Sequence, residues 1–243
     1  MNDPNVEWFE SWFGEEYVAL YPHRNDAEAE RAVSLIADTL AGRDVRRVLD
    51  LACGSGRHAR FLGQKWWTSG VDLSEVLLRM AQRSNSPARL VRADIRALPY
   101  RGESFDLVVN LFTSFGYFET DLEHEQVIRD LALVTRSGGT FVIDYLNARQ
   151  VRESLVPYDE TSIFGRRIEQ RRQISTDGCF VVKHITMPEE GKEFIERVRL
   201  FTSDDLTSML EKAEFKVEQR FGNYDGETLT ETSPRVILFA RRK

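Results

Sequence analysis

Cysteine is nearly absent from this chain. The two present among 243 residues, Cys53 and Cys179, are too few for a disulfide framework and suit a reducing compartment. The opening segment MNDPNVEWFE has neither a basic stretch nor an apolar core, so no secretory leader is read there. Apolar runs long enough to span a bilayer, roughly 20 residues, are missing as well. A basic excess is also lacking: 33 Lys and Arg stand against 39 Asp and Glu, a formal net charge of −6, whereas proteins that hold a phosphate backbone present a basic face. Histidine occurs four times, and no group of histidines and carboxylates has the spacing of metal ligands. Together these absences predict a soluble, cytoplasmic protein with no membrane, DNA or metal partner.

What is present suits one core. Hydrophobic residues make up 42% of the chain and charged residues 30%, which predicts a single domain over residues 1–243 carrying an insertion. Val33, Ile36, Ala37 and Leu40 recur at helical spacing and predict a helix over 26–41, ahead of a first strand at 47–51. Ser74 can cap a second helix with apolar positions Val76, Leu77, Met80 and Ala81. Residues 105–111, FDLVVNL, are too continuously apolar for a half-exposed strand and fit a parallel strand covered on both faces. A helix bearing Val127, Ile128, Leu131 and Val134 follows, ended by Ser137-Gly138-Gly139, and then a strand at 140–145. This is the rhythm of an α/β fold, a doubly wound Rossmann-like sheet.

After Asn147 the rhythm changes. Residues 163–174, 179–187 and 193–201 read as strands joined by turns at Asp177-Gly178 and Glu190-Gly191, which predicts a small antiparallel β insertion over 150–201 lying on the main sheet. Thr202 and Asp205 then open a helix with Leu206, Met209, Leu210 and Ala213 on its apolar face. Two last strands, near 215–221 and 235–241, are separated by NYDGETLTETSP, too short for a crossover helix, so they pair as a C-terminal antiparallel hairpin.

The chemistry is concentrated at strand ends. In VLDLACGSGRH, residues 48–58, an apolar run breaks into Gly54-Ser55-Gly56 just before a helix, where backbone amides approach a ligand with no Cβ in the way. The same residues satisfy GxGxxA through Ala59, and Asp72 lies 18 residues past Gly54, so the glycines alone fit a dinucleotide as well. Two further carboxylates favour S-adenosylmethionine (SAM). Asp50 would repel a pyrophosphate but can hold an ammonium group through the turn, and Asp94 offers an acceptor to an adenine amino group. Asp72 as an anion can accept from both ribose hydroxyls. Asn110, polar inside an apolar strand, needs a partner if buried and would face the methionine part of the cofactor. Arg24 is suited to a bidentate bond with the cofactor carboxylate.

These residues resemble the class I SAM-dependent methyltransferases over nearly the whole chain, and the resemblance implies a seven-stranded sheet ending in an antiparallel hairpin. The likeness extends to bacterial small-molecule enzymes, including N,N-dimethyltransferases of nucleotide-linked amino sugars. It rests on Tyr17 and Arg24 ahead of the first helix, and on the run Phe112-Thr113-Ser114-Phe115-Gly116-Tyr117 after the fourth strand. It implies cofactor contacts at Tyr17 and Arg24, a cofactor turn at Ala52, Cys53, Gly54 and Gly56, a ribose acid at Asp72 followed by Leu73, and an adenine acid at Asp94 followed by Ile95. The chain departs from the sugar enzymes after the fifth strand, where Asp144-Tyr145-Leu146-Asn147 replaces an acidic and tryptophan-containing stretch. Residues Asn110-Leu111-Phe112-Thr113 also lack the NPPY-type tetrad of enzymes that stack a flipped adenine or a glutamine amide.

Methyl transfer from a sulfonium is an in-line displacement that chiefly demands alignment and desolvation, so a base is optional. Tyr117, Asp144, Tyr145 and His184 are the catalytic candidates, while His58 reads as structural and His124, in the polar stretch EHEQ, as solvated. The aromatic residues Trp8, Phe9, Trp12, Phe13, Tyr17 and Tyr21 predict a lid over residues 1–25. Arg166, Arg167, Arg171 and Arg172 raise the alternative of an RNA-binding edge. Residues 149–200 nevertheless hold ten basic and nine acidic side chains, and a mixed solvated sheet explains them better. The expected function is transfer of a methyl group from SAM to a small-molecule acceptor, with a SAM-binding protein without catalysis as the other alternative.

Overall fold

The computed structural model describes residues 7–21, 26–84 and 86–243. The described chain opens with two short helices, α1 (Trp8–Trp12) and α2 (Glu15–Leu20), and then α3 (Asp26–Thr39). There follow β1 (Arg47–Leu51), α4 (Arg57–Lys65), β2 (Trp67–Asp72), α5 (Glu75–Arg83), β3 (Arg89–Arg92), β4 (Phe105–Asn110), α6 (Asp121–Val134) and β5 (Thr135–Leu146). Beyond α7 (Ala148–Ser154) come four strands, β6 (Tyr158–Ile163), β7 (Arg166–Ile174), β8 (Phe180–Met187) and β9 (Lys192–Arg199). The chain closes with α8 (Ser203–Lys212), β10 (Phe215–Phe221) and β11 (Arg235–Arg242).

Seven strands form one sheet in the order β3-β2-β1-β4-β5-β11-β10. The first five are parallel, and β11 runs antiparallel to both β5 and β10, the hairpin expected from the short connection. All six residues of β4 are buried, because helices cover both faces. On one face Leu49, Val108 and Ile143 meet Ile128 and Leu131 of α6 and Leu206 and Leu210 of α8. On the other, Val48, Val109 and Val142 meet Val33 and Ile36 of α3 and Leu62 of α4. Strand alternation thus divides each strand's side chains between two cores.

The structure differs from the sequence reading in three places. β5 starts at Thr135, directly after α6, so Ser137-Gly138-Gly139 lies inside the strand as an irregularity between the Phe105–Thr135 and Leu107–Thr140 pairs. A Cβ on Gly139 would come within 2.8 Å of the Arg136 carbonyl oxygen and 3.0 Å of that of Asp106, so the backbone can fold back on itself there only without a side chain. The insertion has four strands rather than three. β6, YDETSI, is an exposed edge strand whose polar sequence gives no alternation signal. Nor does this sheet lie on the main sheet with one whole face. Ile168, Ile185 and Met187 pack instead on Trp12 and Leu20 of the N-terminal helices. Among the described residues no helix is long and apolar enough to cross a membrane.

Gly56, with φ of 78°, caps α4, and a Cβ there would lie 2.8 Å from the Cβ of Ala81 in α5. Gly178 has a similar φ of 73° with nothing within 4 Å of its Cβ position. Gly178→Ala should therefore show backbone strain alone, about 1–3 kcal/mol. Gly56→Ala should show that strain plus the overlap, and so melt lower than Gly178→Ala in thermal denaturation. Equal melting points would remove the α4–α5 contact as the reason for this glycine.

Candidate active site

The strand order reverses between β1 and β4, and in an open parallel sheet the crevice at such a switch point receives the ligand. From Leu51 the chain turns through Ala52 (φ 54°) and Gly54 (φ 55°), and both line a cavity of about 650 Å3. Asp72, at the end of β2, borders the same cavity. Its Oδ2 accepts from Gly54 N–H at 2.8 Å and its Oδ1 from Ser74 N–H at 2.8 Å. Each carboxylate oxygen keeps a second lone pair, which is what two ribose hydroxyls require. Burial pushes the Asp72 carboxyl up from its ordinary value, against the pull of those amides, so further donors would be welcome there. The next strand end contributes Asp94 and Ile95, and Leu73 completes this wall.

The roof is made by α1 and α2. Phe9, Phe13 and Tyr17 line the cavity from above. The Phe13 carbonyl accepts from the Ser74 hydroxyl at 2.6 Å, and the indole of Trp8 donates to the Tyr117 carbonyl at 3.3 Å. Arg96, which the sequence reading passed over, joins roof to wall. Its guanidinium lies 2.7 Å from Asp94 and 2.6 Å from Glu7, with its carbon 5.8 Å from the Phe9 ring centre and 5.0 Å from that of Phe118. Burial alone would raise the Asp94 carboxyl, but the Arg96 guanidinium and backbone N–H outweigh it and hold it below the ordinary range. The only signal in the sequence was an arginine two residues past an acid.

The other sequence candidates are distributed unevenly. Tyr117 reaches the cavity, with its hydroxyl donating to the Thr113 carbonyl at 2.6 Å. Cys53 does not: its Sγ packs against Gly70, and burial pushes the thiol well above its ordinary range. Gly56 acts at the α4–α5 contact. Asn110 is fully buried behind the cavity wall, donating to the carbonyls of Leu51 at 3.2 Å and Ser114 at 3.1 Å. Arg24 lies outside the described residues.

Three expectations about catalytic groups change. Asp144 is fully buried and its carboxylate is taken up by Arg235, the Tyr224 hydroxyl at 2.5 Å and Phe112 N–H at 2.8 Å. Tyr145 is equally buried and donates to the Arg199 carbonyl, and burial drives its phenol far above the ordinary range. His184 is exposed, because alternation along β8 sends Ile185 to the packed face and His184 to solvent. His124, expected in solvent, is fully buried among Phe115, Phe118 and Phe201. Its Nδ1 lies 2.8 Å from the Thr120 carbonyl and its Nε2 accepts from Phe118 N–H.

Comparison with known proteins bears on this arrangement. Residues 48–139 match the family described as "Methyltransferase domain". The chain is 28% identical over 206 residues to dTDP-3-amino-3,4,6-trideoxy-alpha-D-glucopyranose N,N-dimethyltransferase of Streptomyces venezuelae, covering 82% of this chain and 84% of that one. It is likewise 28% identical over 212 residues to dTDP-4-amino-2,3,4,6-tetradeoxy-D-glucose N,N-dimethyltransferase of Saccharopolyspora spinosa, 84% of either chain. The crystal structure of a SAM-dependent methyltransferase from Clostridium acetobutylicum shares the fold, with a TM-score of 0.79 at 19% identity over 93% of this chain and 98% of that one.

Asp50 sits beneath the turn rather than in the cavity, 1% exposed, with Oδ2 unpartnered among the described residues. Burial, and then the neighbouring Asp72, push its carboxyl up to about 8. Between the ordinary value near 4 and about 8 the folded chain therefore holds a proton that the unfolded chain has lost. This group's contribution must weaken as pH rises through that window. Asp50→Asn should remove the slope, so its melting temperature should gain on the parent's from pH 4.5 to 8 and then level off. A constant difference across that range would contradict the buried, protonated carboxyl.

Proposed function

We propose that this chain, which belongs to the class I SAM-dependent methyltransferases, methylates the amine nitrogen of a small metabolite in the cytoplasm. The observation that carries the proposal is the roofed, partly open cavity: acids at two neighbouring strand ends form one wall, and aromatic helices form its roof. Bound SAM supplies a sulfonium-activated methyl group. Asp72 would accept from its ribose, Asp94 and Ile95 would border its adenine, and Ala52 and Gly54 would let the backbone come close to its amino-acid end. Tyr17 and Tyr117 line the same cavity and would stand against the cofactor, at the boundary of the space left for the acceptor. A neutral amine needs no base for in-line attack, and the roof's exclusion of water serves the displacement.

Residues 1–25 act in this reading as a lid, of which 7–21 are described, and residues 150–201 as an insertion that braces it. An acceptor of polymer size would hold such a roof open. The relatives named as sugar N,N-dimethyltransferases support an amine, with a nucleotide-linked amino sugar as the leading class. RNA is disfavoured by the arginines of the insertion, which face carboxylates already: Arg166 with Glu190, Arg167 with Glu160 and Glu169, and Arg172 with Asp159.

Asp72→Ala should abolish S-adenosylhomocysteine binding in calorimetry, and with it any protection of residues 7–21 from proteolysis by that ligand. Unchanged affinity would overturn the ribose assignment. For the acceptor, incubation with methyl-labelled SAM and fractionated bacterial extract should place label among small amines. Label recovered in RNA or protein would show the substrate class to be wrong.

A further inference from the structure

Asp144 does not line the cavity, yet among the described residues it is the most heavily hydrogen-bonded buried carboxylate near the site. Arg235 donates to it through Nε and through Nη2 at 3.0 Å, Tyr224 through its hydroxyl at 2.5 Å, and Phe112 through its backbone at 2.8 Å. The Asp144 carbonyl in turn accepts from Thr113 N–H at 2.9 Å. The two residues so held are in the left-handed region, Phe112 at φ 62° and Thr113 at φ 59°. Neither is a glycine, and a β-branched residue is especially unwilling there, so the conformation persists only because its surroundings impose it. The Phe112 ring is further fixed between two guanidiniums, with Arg57 4.8 Å and Arg235 4.9 Å from its centre.

The strained turn has a direct outlet into the cavity. Thr113 presents its carbonyl to the Tyr117 hydroxyl at 2.6 Å, and Ser114 and Tyr117 both line the cavity. We propose that Asp144 is a positioning residue: with Arg235 and Tyr224 it clamps the Phe112–Thr113 turn, and through the Thr113 carbonyl it sets where Tyr117 stands against the cofactor. The inference rests on the reading of the cavity as a SAM site. It also accounts for a charged group buried at the edge of the site without reaching it. A carboxylate that accepts simultaneously from a guanidinium, a phenol and an amide holds a geometry that a single neutral acceptor cannot.

The test is a double-mutant cycle read by calorimetric titration with S-adenosylhomocysteine. Asp144→Asn keeps the volume but loses the charge that gathers Arg235 and Tyr224, and Tyr117→Phe removes the donor at the other end of the chain of contacts. Each should weaken binding by about three- to thirtyfold, and the double variant should be no weaker than the worse single one. Should Asp144→Asn fail to fold, Tyr224→Phe leaves the ion pair intact and takes its place in the cycle, with a smaller but equally non-additive loss. A lowered melting temperature with unchanged affinity, or losses that simply multiply, would show a structural anchor and overturn the proposal. A parent that binds no S-adenosylhomocysteine would overturn the cofactor reading and this inference with it.

Discussion

The pairing of Leu51 with Asn110, where β1 and β4 end side by side, is the constraint on which the site depends. Up to that register the strands share hydrogen bonds and lie in one buried layer. Beyond it their connections turn to opposite sides of the sheet, and the crevice opens. Asn110 reinforces the junction by spanning from the Leu51 carbonyl to that of Ser114, so the loop after β4 is tied to the strand that carries the glycine turn. The positions of Gly54, Ser114 and Tyr117 around one cavity follow from that tie.

Charge is used here more for holding backbone than for chemistry. Asp72 organises the turns of two strands through Gly54 and Ser74, Asp94 is bound to Arg96, and Asp144 to Arg235 and Tyr224. Asp72, which borders the cavity and already holds two backbone amides, accepts one of them on each oxygen and so keeps a second lone pair on each. The arrangement suits a reaction in which alignment matters more than proton transfer. The insertion contributes in the same manner: Glu196, half-buried, pairs with Lys183 at 2.7 Å and accepts from Trp12 and Tyr21, which fastens the aromatic roof to the second sheet.

Much of the fold was legible because its signals are local. The apolar run of β4 and the helical spacing in α3 and α6 are written in neighbouring residues, as is the short link before the last strand. The acids at strand ends were legible for the same reason, since a polar residue closing an apolar run marks where the sheet stops. β6 escaped because an exposed edge strand has no buried face to impose alternation. His124 was misjudged because its polar neighbours in EHEQ point elsewhere, while three phenylalanines distant in sequence close over its ring.

By itself the sequence determined the doubly wound sheet, its closing hairpin, and the glycine turn with Asp72 and Asp94 beyond it, because periodicity and turn chemistry operate over a few residues. Only the tertiary structure decided which polar groups meet the cavity. Tyr117 reaches it while Asp144, one strand away, is enclosed by residues some 80 and 90 positions later in the chain. Arg96 becomes a bridge only because Glu7 is folded over it. A side chain's role depends on burial and on partners brought from far along the chain, and neither is encoded within reach of the residue itself.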